Sequence, residues 1–429
     1  MDFARSDHPG VQAQLDRLGQ LSVPQGRLGL DTITALMDRL GNPHRTLPPT
    51  FHVAGTNGKG SVCAFLRAML EAEGYRVHVT TSPHLVRYNE RIRLAGTLIE
   101  DEALAALLEE VLDAGKGLDP SFFEVTIAAA FLAFSRTPAD ACVVEVGLGG
   151  RFDATNVLEP AVLAACGIAA LGIDHERFLL APEDGTPDEP MARIAFEKAG
   201  IAKPGVPVVT IAHEDGPTLE IERAALRVGT ALKMRGREWH VSADDAGIHY
   251  ADFDGALDLP EPAMPGAHQV ANAGLAVAML RHQEALGISA GAIARGLRSV
   301  TWPARLQMLA PGPLVADRMV WLDGGHNASA GRAIAAHFDR PLHLILGMLA
   351  NKDPGSFIGP LGDRIRSLTV VPVPGHEAHP AEAFGPRATA ATDVAEALAG
   401  LPGDDTPVLI AGSLYLAGEV LRLNNELPD

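Results

Sequence analysis

Apolar residues alternate at Phe51 and Val53. After a glycine-rich turn they fall at Val62, Phe65, Leu66, Met69 and Leu70. The first pattern has the period of a buried strand, the second the i, i+3, i+4 spacing of one helix face. Gly74 ends that helix with the residue type best suited to a left-handed cap.

The same two periods organise the rest of the chain. Residues 1–50 read as a helical lead-in, with a helix near 30–40 stopped by the glycine and proline at 41–43. Tyr75, Val77 and Val79 form a second strand, and 99–114 an acidic amphipathic helix. Residues 121–134 open with SFFE, a capping box, and continue as an almost uniformly apolar helix. Residues 141–146 make a continuous apolar strand, and 162–173 hold another that ends at Asp174 and His175. The stretch 182–190 (PEDGTPDEP) is acidic and rich in breakers, so it predicts a surface loop. Next come a helix through 196–200, a strand at 207–211 and a helix near 219–229.

Residues 231–259 switch to short alternating segments, predicting a small β-rich excursion. A long helix over 266–286, closed by Gly287, precedes a short one at 290–297. The proline-marked joint WPAR at 302–305 is the expected boundary between domains 1–300 and 301–429. Beyond it strands and helices alternate at 319–322, 330–338, 342–346, 367–373, 394–401, 408–411 and 416–423, a second open α/β sheet.

A chain of 429 residues exceeds what one hydrophobic core usually serves, which agrees with two domains. The formal net charge of −18 argues against a nucleic-acid or anionic-membrane surface. Anion binding then requires positive charge gathered locally. Cys63, Cys142 and Cys166 have no CxxC spacing and read as small buried residues of a reducing compartment. The N-terminus lacks the apolar core of a signal peptide, and the longest apolar run, 157–173, is broken by Glu159 and Pro160. The expectation is a soluble cytoplasmic monomer without membrane or nucleic-acid partners.

Between the first strand and helix lies Gly55, Thr56, Asn57, Gly58, Lys59, Gly60, Ser61. Glycines let backbone N–H groups close on phosphate oxygens, the helix N-terminus adds its positive end, and the lysine adds a full charge. A glycine-rich turn of some other α/β protein is the plain alternative, which the flanking strand and helix disfavour. The general pattern GxxxxGK[ST] puts a hydroxyl directly after the lysine; here Gly60 intervenes before Ser61.

A triphosphate loop calls for Mg²⁺ on oxygen ligands at neighbouring strand ends, where Ser82, Glu145 and His175 stand. Singly, a serine before proline reads as a turn, an acid before glycine as solvated, and a lone histidine as structural. Lys198, in FEKAGIAKPG, reads alone as a surface lysine near a helix C-terminus. Asn272, in GAHQVAN, either caps a helix or offers the donor and acceptor an adenine edge needs. Phe122 and Phe123 are either core or a stacking surface. Arg87, Asn89, Glu90 and Arg91 suit a mobile substrate loop or an ordinary solvated one.

The loop GTNGKGS resembles the nucleotide loop of the Mur ligase superfamily, and its GKGS ending is most similar to the dihydrofolate synthase/folylpolyglutamate synthase branch. The ordered set GTNGKGS, TSPH, NERI, EVGLGGRFDATN, DH, EKAG, HQxxN, WPxR and DGGHN extends that resemblance over nearly the whole chain. It implies a phosphate-loop ATPase domain with a central, mostly parallel sheet, then a smaller Rossmann-like domain. It further implies an ATP-dependent amide ligase adding L-glutamate to dihydropteroate, to folates, or to both, through an acyl phosphate. Residues 55–61 would hold ATP, Asn272 the base, Arg305 the triphosphate, and Asp323 and His326 the ribose and base.

By the same resemblance Mg²⁺ would sit on Ser82, Glu145 and His175, with a monovalent cation as a further candidate. Lys59, His175 and Lys198, the last carbamylated, would be catalytic. Arg151 and Asp153 of RFDATN, Arg91, Phe122 and Phe123 would meet the pterin substrate. The second domain would close about the 302–305 joint and help hold glutamate. Departures from the pattern are Ala304 for glycine, Gly325 for alanine, Ala328 for proline, Asn351 for an acid, and the insertion at 182–190. Two other readings stay open: another Mur-type amino-acid ligase, against which RFDATN argues, and a P-loop phosphotransferase or NTPase.

Overall fold

The computed structural model describes residues 5–21 and 29–429. The expected helical lead-in therefore lies partly outside the described residues. Within them Pro9–Gly19 is a helix, with Pro9 in its first turn and the His8 side chain accepting from Val11 N–H. Asp31–Arg39 is the second helix.

The chain forms two compact units: Met1–Pro83 with Arg87–Ala263 and Val270–Val300, and His84–Val86 with Met264–Gln269 and Thr301–Asp429. The first holds an eight-stranded sheet. Its strands are β1 (Thr50–Ala54), β2 (Val77–Thr80), β3 (Arg93–Leu94), β4 (Thr97–Leu98), β5 (Ala141–Glu145), β6 (Leu163–Ile168), β7 (Val208–Thr210) and β8 (Leu232–Met234). The spatial order is β4-β3-β2-β5-β1-β6-β7-β8. From β2 through β5, β1, β6 and β7 to β8 every pairing is parallel. The short β3 and β4 run antiparallel at one edge.

β1, β5 and β6 are buried at every position. That is why β5 and β6 read as near-continuous apolar runs, since helices cover both faces of a parallel sheet, whereas β1 reads as alternating because its Thr50 and His52 are buried polar residues. The helix Lys59–Glu73 ends at Gly74 with φ +104, as its sequence predicts. The helix Ala290–Ser299 packs on it closely, because a Cβ at Gly296 would lie 2.6 Å from Met69 backbone atoms. Phe122–Arg136 starts with the expected capping box: Ser121 N–H donates to Glu124 Oε2 at 2.8 Å.

The β-rich excursion divides in two. Leu232–Met234 joins the main sheet as its outer strand, while β9 (Trp239–Asp244), β10 (Gly247–Asp252) and β11 (Gly255–Leu259) form a separate antiparallel meander. The meander is fixed by a buried Trp239 stacked on Tyr250 and by a bidentate Arg281–Asp252 pair with both bonds at 2.6 Å. The long helix expected over 266–286 is shorter, His268–Arg281. Gln283 ends it: its side-chain amide donates to the carbonyls of Leu280 and Leu286 and accepts from Leu286 N–H, taking the place of a glycine cap.

The second unit contains β12 (Gln307–Met308), β13 (Val320–Leu322), β14 (Leu342–Leu346), β15 (Ile365–Val370), β16 (Ala388–Ala390) and β17 (Val408–Ala411). They are ordered β12-β13-β17-β14-β15-β16 and are parallel except for β12. Helices Val394–Ala399 and Leu414–Leu423 share one core with this sheet, and Ala328–His337 lies in another. Such a sheet, covered on both faces, is the expected open α/β arrangement. All three cysteines are buried free thiols. Among the described residues no helix is long and apolar enough to cross a membrane.

Candidate active site

Parallel pairing brings the C-terminal ends of three strands to one place. Val53 is in register with Glu145 on β5, and Ala54 with Ile168 on β6, so the turn after β1 is flanked by the segments that leave β5 and β6. That turn is clamped from the β6 side. Thr56 and Asn57 N–H donate to Ala170 O at 2.8 and 3.1 Å, and the Thr56 hydroxyl donates to Gly172 O at 2.8 Å. Gly55 and Gly58 have φ +150 and +84, and a Cβ on Gly58 would lie 2.5 Å from Asn272 Oδ1. Glycine is needed at 58 both for the backbone angle and for the approach of the asparagine. Asn272 thus lies against the loop itself and is buried.

Two lysines converge on one carbonyl. Lys59 Nζ donates to Gly55 O at 3.1 Å, and Lys198 Nζ, from the helix Pro190–Ala199, donates to the same oxygen at 2.9 Å. Lys198 is buried, so the surface-lysine reading does not hold. Burial, with the Lys59 charge second, lowers its pKa to about 7, against the opposing pull of Asp174, Asp153 and Glu197.

Glu145, at the end of β5, is buried, and Ser82 N–H donates to its Oε2 at 3.1 Å. His175 has φ +52 and a largely exposed ring whose Nε2 lies 3.8 Å from Asp174 Oδ2. Among the described residues no group of three or more His, Cys, Asp or Glu side chains is placed to hold a metal. Of the expected ligands, Ser82 and Glu145 are joined by the hydrogen bond from Ser82 N–H, and His175 has Asp174 as its neighbour. A buried carboxylate at a strand end suits Mg²⁺, which takes few protein oxygens and keeps its waters.

The RFDATN loop lies beside the helix of Lys198. Asp153 is buried, accepting from Leu148 N–H at 2.7 Å, from Thr155 N–H at 3.0 Å and from the Thr155 hydroxyl. That hydroxyl also meets His52 Nε2 at 2.8 Å. Arg151 is held by Glu183 and Glu197 through four bonds of 2.6–3.0 Å. Phe122 and Phe123 are half-buried. Gly147 makes room for the Phe123 ring, because a Cβ there would lie 2.3 Å from its Cζ. Arg91 is fully buried, its guanidinium carbon 5.5 Å from the centroids of both Tyr88 and Phe122.

In the second unit Asp323 ties two segments together. Its Oδ2 accepts from Leu306 N–H at 2.8 Å and its Oδ1 from Gly325 N–H at 2.7 Å. Ala304 and Leu306 have φ +56 and +46, so the WPAR segment and the residue after it hold two non-glycine residues in the left-handed region. Arg305 Nη1 donates to Ala304 O at 2.9 Å. His268 stands in the field of Asp323 and Arg305. His326 precedes Asn327, which caps the helix Ala328–His337.

No family model matches the sequence. The chain is 34% identical to a probable bifunctional folylpolyglutamate synthase/dihydropteroate synthase of Halobacterium salinarum across 91% of its own length, and spans about half (49%) of that protein. It is 31% identical to the dihydrofolate synthetase of Saccharomyces cerevisiae, covering 93% of this chain and 98% of the yeast protein. The chain belongs to the dihydrofolate synthase/folylpolyglutamate synthase family. A solved bifunctional folylpolyglutamate synthase/dihydrofolate synthase with Mn, AMPPNP and L-glutamate bound aligns with TM-score 0.83 and 29% identity, over 98% of this chain and 99% of that one. The family's fold is Mur-ligase-like, and its members are ligases that use ATP.

Three of the residues expected to meet the pterin, Arg151, Arg91 and Asp153, have partners within the protein. The planar fork of Arg151 is taken by two carboxylates, those of Glu183 and Glu197. Arg91 is buried, with its guanidinium packed against the rings of Tyr88 and Phe122. Asp153 accepts from its own loop's N–H groups and from Thr155, which holds the loop in shape. Phe122 and Phe123, half-buried at a helix start, remain available as a surface, and the solvated-loop reading of 87–91 fails for the buried Asn89 and Arg91. Sequence reasoning misses Asp174, His52, His268, Glu183, Arg193 and Glu197. Of these Asp174 and Glu197 carry a signal, their places beside His175 and Lys198.

Proposed function

We propose that this chain adds L-glutamate to dihydropteroate, to folates, or to both, with ATP and through an acyl phosphate. The observation that carries this reading is the convergence of Lys59 and Lys198 on the Gly55 carbonyl, inside a glycine loop bordered by Ser82 and Glu145. A carboxylate resists attack by an amine because it is anionic and lacks a leaving group. One of its oxygens attacks the γ-phosphorus, the bond to the β-phosphate bridging oxygen breaks, and ADP leaves. The glutamate amine then attacks the acyl carbon, the C–O bond to phosphate breaks, and the amine proton passes to a base or solvent.

The protein's share is positioning and charge neutralisation. Loop N–H groups and Lys59 hold the phosphates; Arg305 is assigned to the triphosphate on the likeness of WPAR. Glu145 and Ser82 would hold Mg²⁺, which supplies positive charge to the phosphate oxygens. Phe122 and Phe123 offer a stacking surface for a flat ring. The buried free thiols support a reducing, cytoplasmic setting.

Purified protein with ATP, Mg²⁺, glutamate and either dihydropteroate or a tetrahydrofolate is expected to release ADP and yield a product heavier by one glutamate residue. ADP release that needs neither the pterin acid nor glutamate would favour the phosphotransferase or NTPase reading instead.

Lys198 is proposed to take up CO₂ on its amine, turning a cation into a carbamate. Only the neutral amine reacts, and a pKa of about 7 makes that form abundant near neutrality. Labelled bicarbonate is expected to give a ¹³C carbamate resonance that strengthens as pH rises through about 7 and is missing from Lys198→Arg. A spectrum unaffected by pH between 6 and 8 would sink this assignment (roughly one unit on either side of that pKa).

A further inference from the structure

The acidic stretch 182–190 is not merely a surface loop: Glu183 turns back into a cluster of four charges, of which Arg193 and Glu197 are buried and Arg151 and Glu183 partly so. Its carboxylate takes both Arg151 terminal nitrogens, at 3.0 and 2.6 Å, and Arg193 Nη2 at 3.1 Å. Glu197 completes the cluster, accepting from Arg151 Nε at 3.0 Å and Nη2 at 2.8 Å and lying 3.1 Å from Arg193 Nη2. Arg193 Nε also donates to Leu179 O at 3.0 Å. Arg193 and Glu197 are buried, on one face of the helix Pro190–Ala199, and the next residue is Lys198. Two guanidinium and two carboxylate groups sum to zero charge, so the group can be buried without an unpaired ion.

The cluster is locked to the Lys198 backbone. Arg151 N–H donates to Glu197 O at 2.8 Å. A Cβ on Gly150 would lie 2.8 Å from both Glu197 O and Lys198 O, and one on Gly200 would lie 2.4 Å from Arg151 Cβ. The backbone that carries Lys198 is therefore gripped on both sides by residues 150–151, and the grip is oriented by the Arg151 side chain. Glu197, which would otherwise place an unneutralised charge beside the lysine, is held between two guanidinium groups.

We infer that Glu183 and Arg193 are positioning residues for ligation, acting through Glu197 and Arg151 to fix the Lys198 amine against the phosphate loop. The inference rests on the proposed role of Lys198 and adds to it residues that lie away from the loop in sequence and reach it only through the helix. Glu183 lies in the insertion, so this chain would use its extra segment as a brace.

A double-mutant cycle in glutamate ligation tests it. Lys198→Ala is expected to lower kcat about a hundredfold or more, and Glu183→Gln about tenfold with KM for ATP changed less than about twofold. In the double variant Glu183→Gln should add nothing to the loss caused by Lys198→Ala, because its effect passes through that amine. A purely structural brace would cost the same factor in both backgrounds, and that result overturns the inference, as does an unchanged kcat in Glu183→Gln. Where that variant is too unstable to assay, Glu183→Asp, which keeps the charge on a shorter arm, takes its place with the same expected non-additivity. Wild-type rate in Lys198→Ala would instead overturn the role of the lysine itself, and the inference with it.

Discussion

Lys59→Ala is expected to lower kcat of ligation by roughly 10²–10³-fold, the usual cost of removing a group that stabilises charge developing in the transition state. The fold should survive. Lys59 begins the helix Lys59–Glu73, where alanine is a better helix former, and the Gly55 carbonyl keeps its bond from Lys198 at 2.9 Å. A second consequence separates this variant from a merely damaged one. The Lys59 charge is one of the influences holding the Lys198 pKa down, so removing it should move the carbamate-forming transition upward from about 7. Rate and the labelled-bicarbonate titration are measured on the same preparation, beside a thermal melt. Near-normal turnover, or a transition that stays where it was, would remove the paired-lysine arrangement from the mechanism.

The parts of this molecule legible in its sequence are those where one period dominates. β1, β5 and β14 are buried on both faces, β5 reading as a continuous apolar run and β1 as an alternating one; the Ser121 capping box and Gly74 mark helix ends through local chemistry alone. Leu232–Met234 reads as part of the β-rich excursion because so short a strand carries too little pattern to say which sheet it joins. The helix ending at Arg281 reads too long because its stop is a side-chain device, Gln283, with no glycine or proline to announce it.

In the site the same division appears. Residues whose role depends on type and strand-end position, such as Lys59 and Glu145, stand out in the sequence. Residues whose role depends on what lies opposite do not. Arg151 and Arg91 look alike in sequence as candidates for an anionic ligand. Only the fold shows that Glu183 and Glu197 pair with the one and that the rings of Tyr88 and Phe122 pack against the other. Lys198 goes the opposite way: its sequence suggests a helix-end surface lysine, and the loop at 150–151 packs over its backbone while the side chain is buried.

Glu145→Gln separates charge from shape at the proposed metal position. The substituted amide keeps an oxygen that can accept from Ser82 N–H, which in the native protein reaches the carboxylate at 3.1 Å, so the end of β5 should stay in place. What disappears is a buried negative charge beside the loop, and a hard divalent cation binds charged oxygen far better than an amide. The expected result is a Mg²⁺ half-saturation concentration raised at least about tenfold and kcat reduced roughly a hundredfold at saturating Mg²⁺, with little change in melting temperature. A Mg²⁺ titration of ligation rate against a melt of the same protein decides it. An unchanged Mg²⁺ requirement would mean that Glu145 serves only to hold Ser82. The ion would then need other oxygens, of which Asp174, already felt electrostatically at Lys198, is the first to replace.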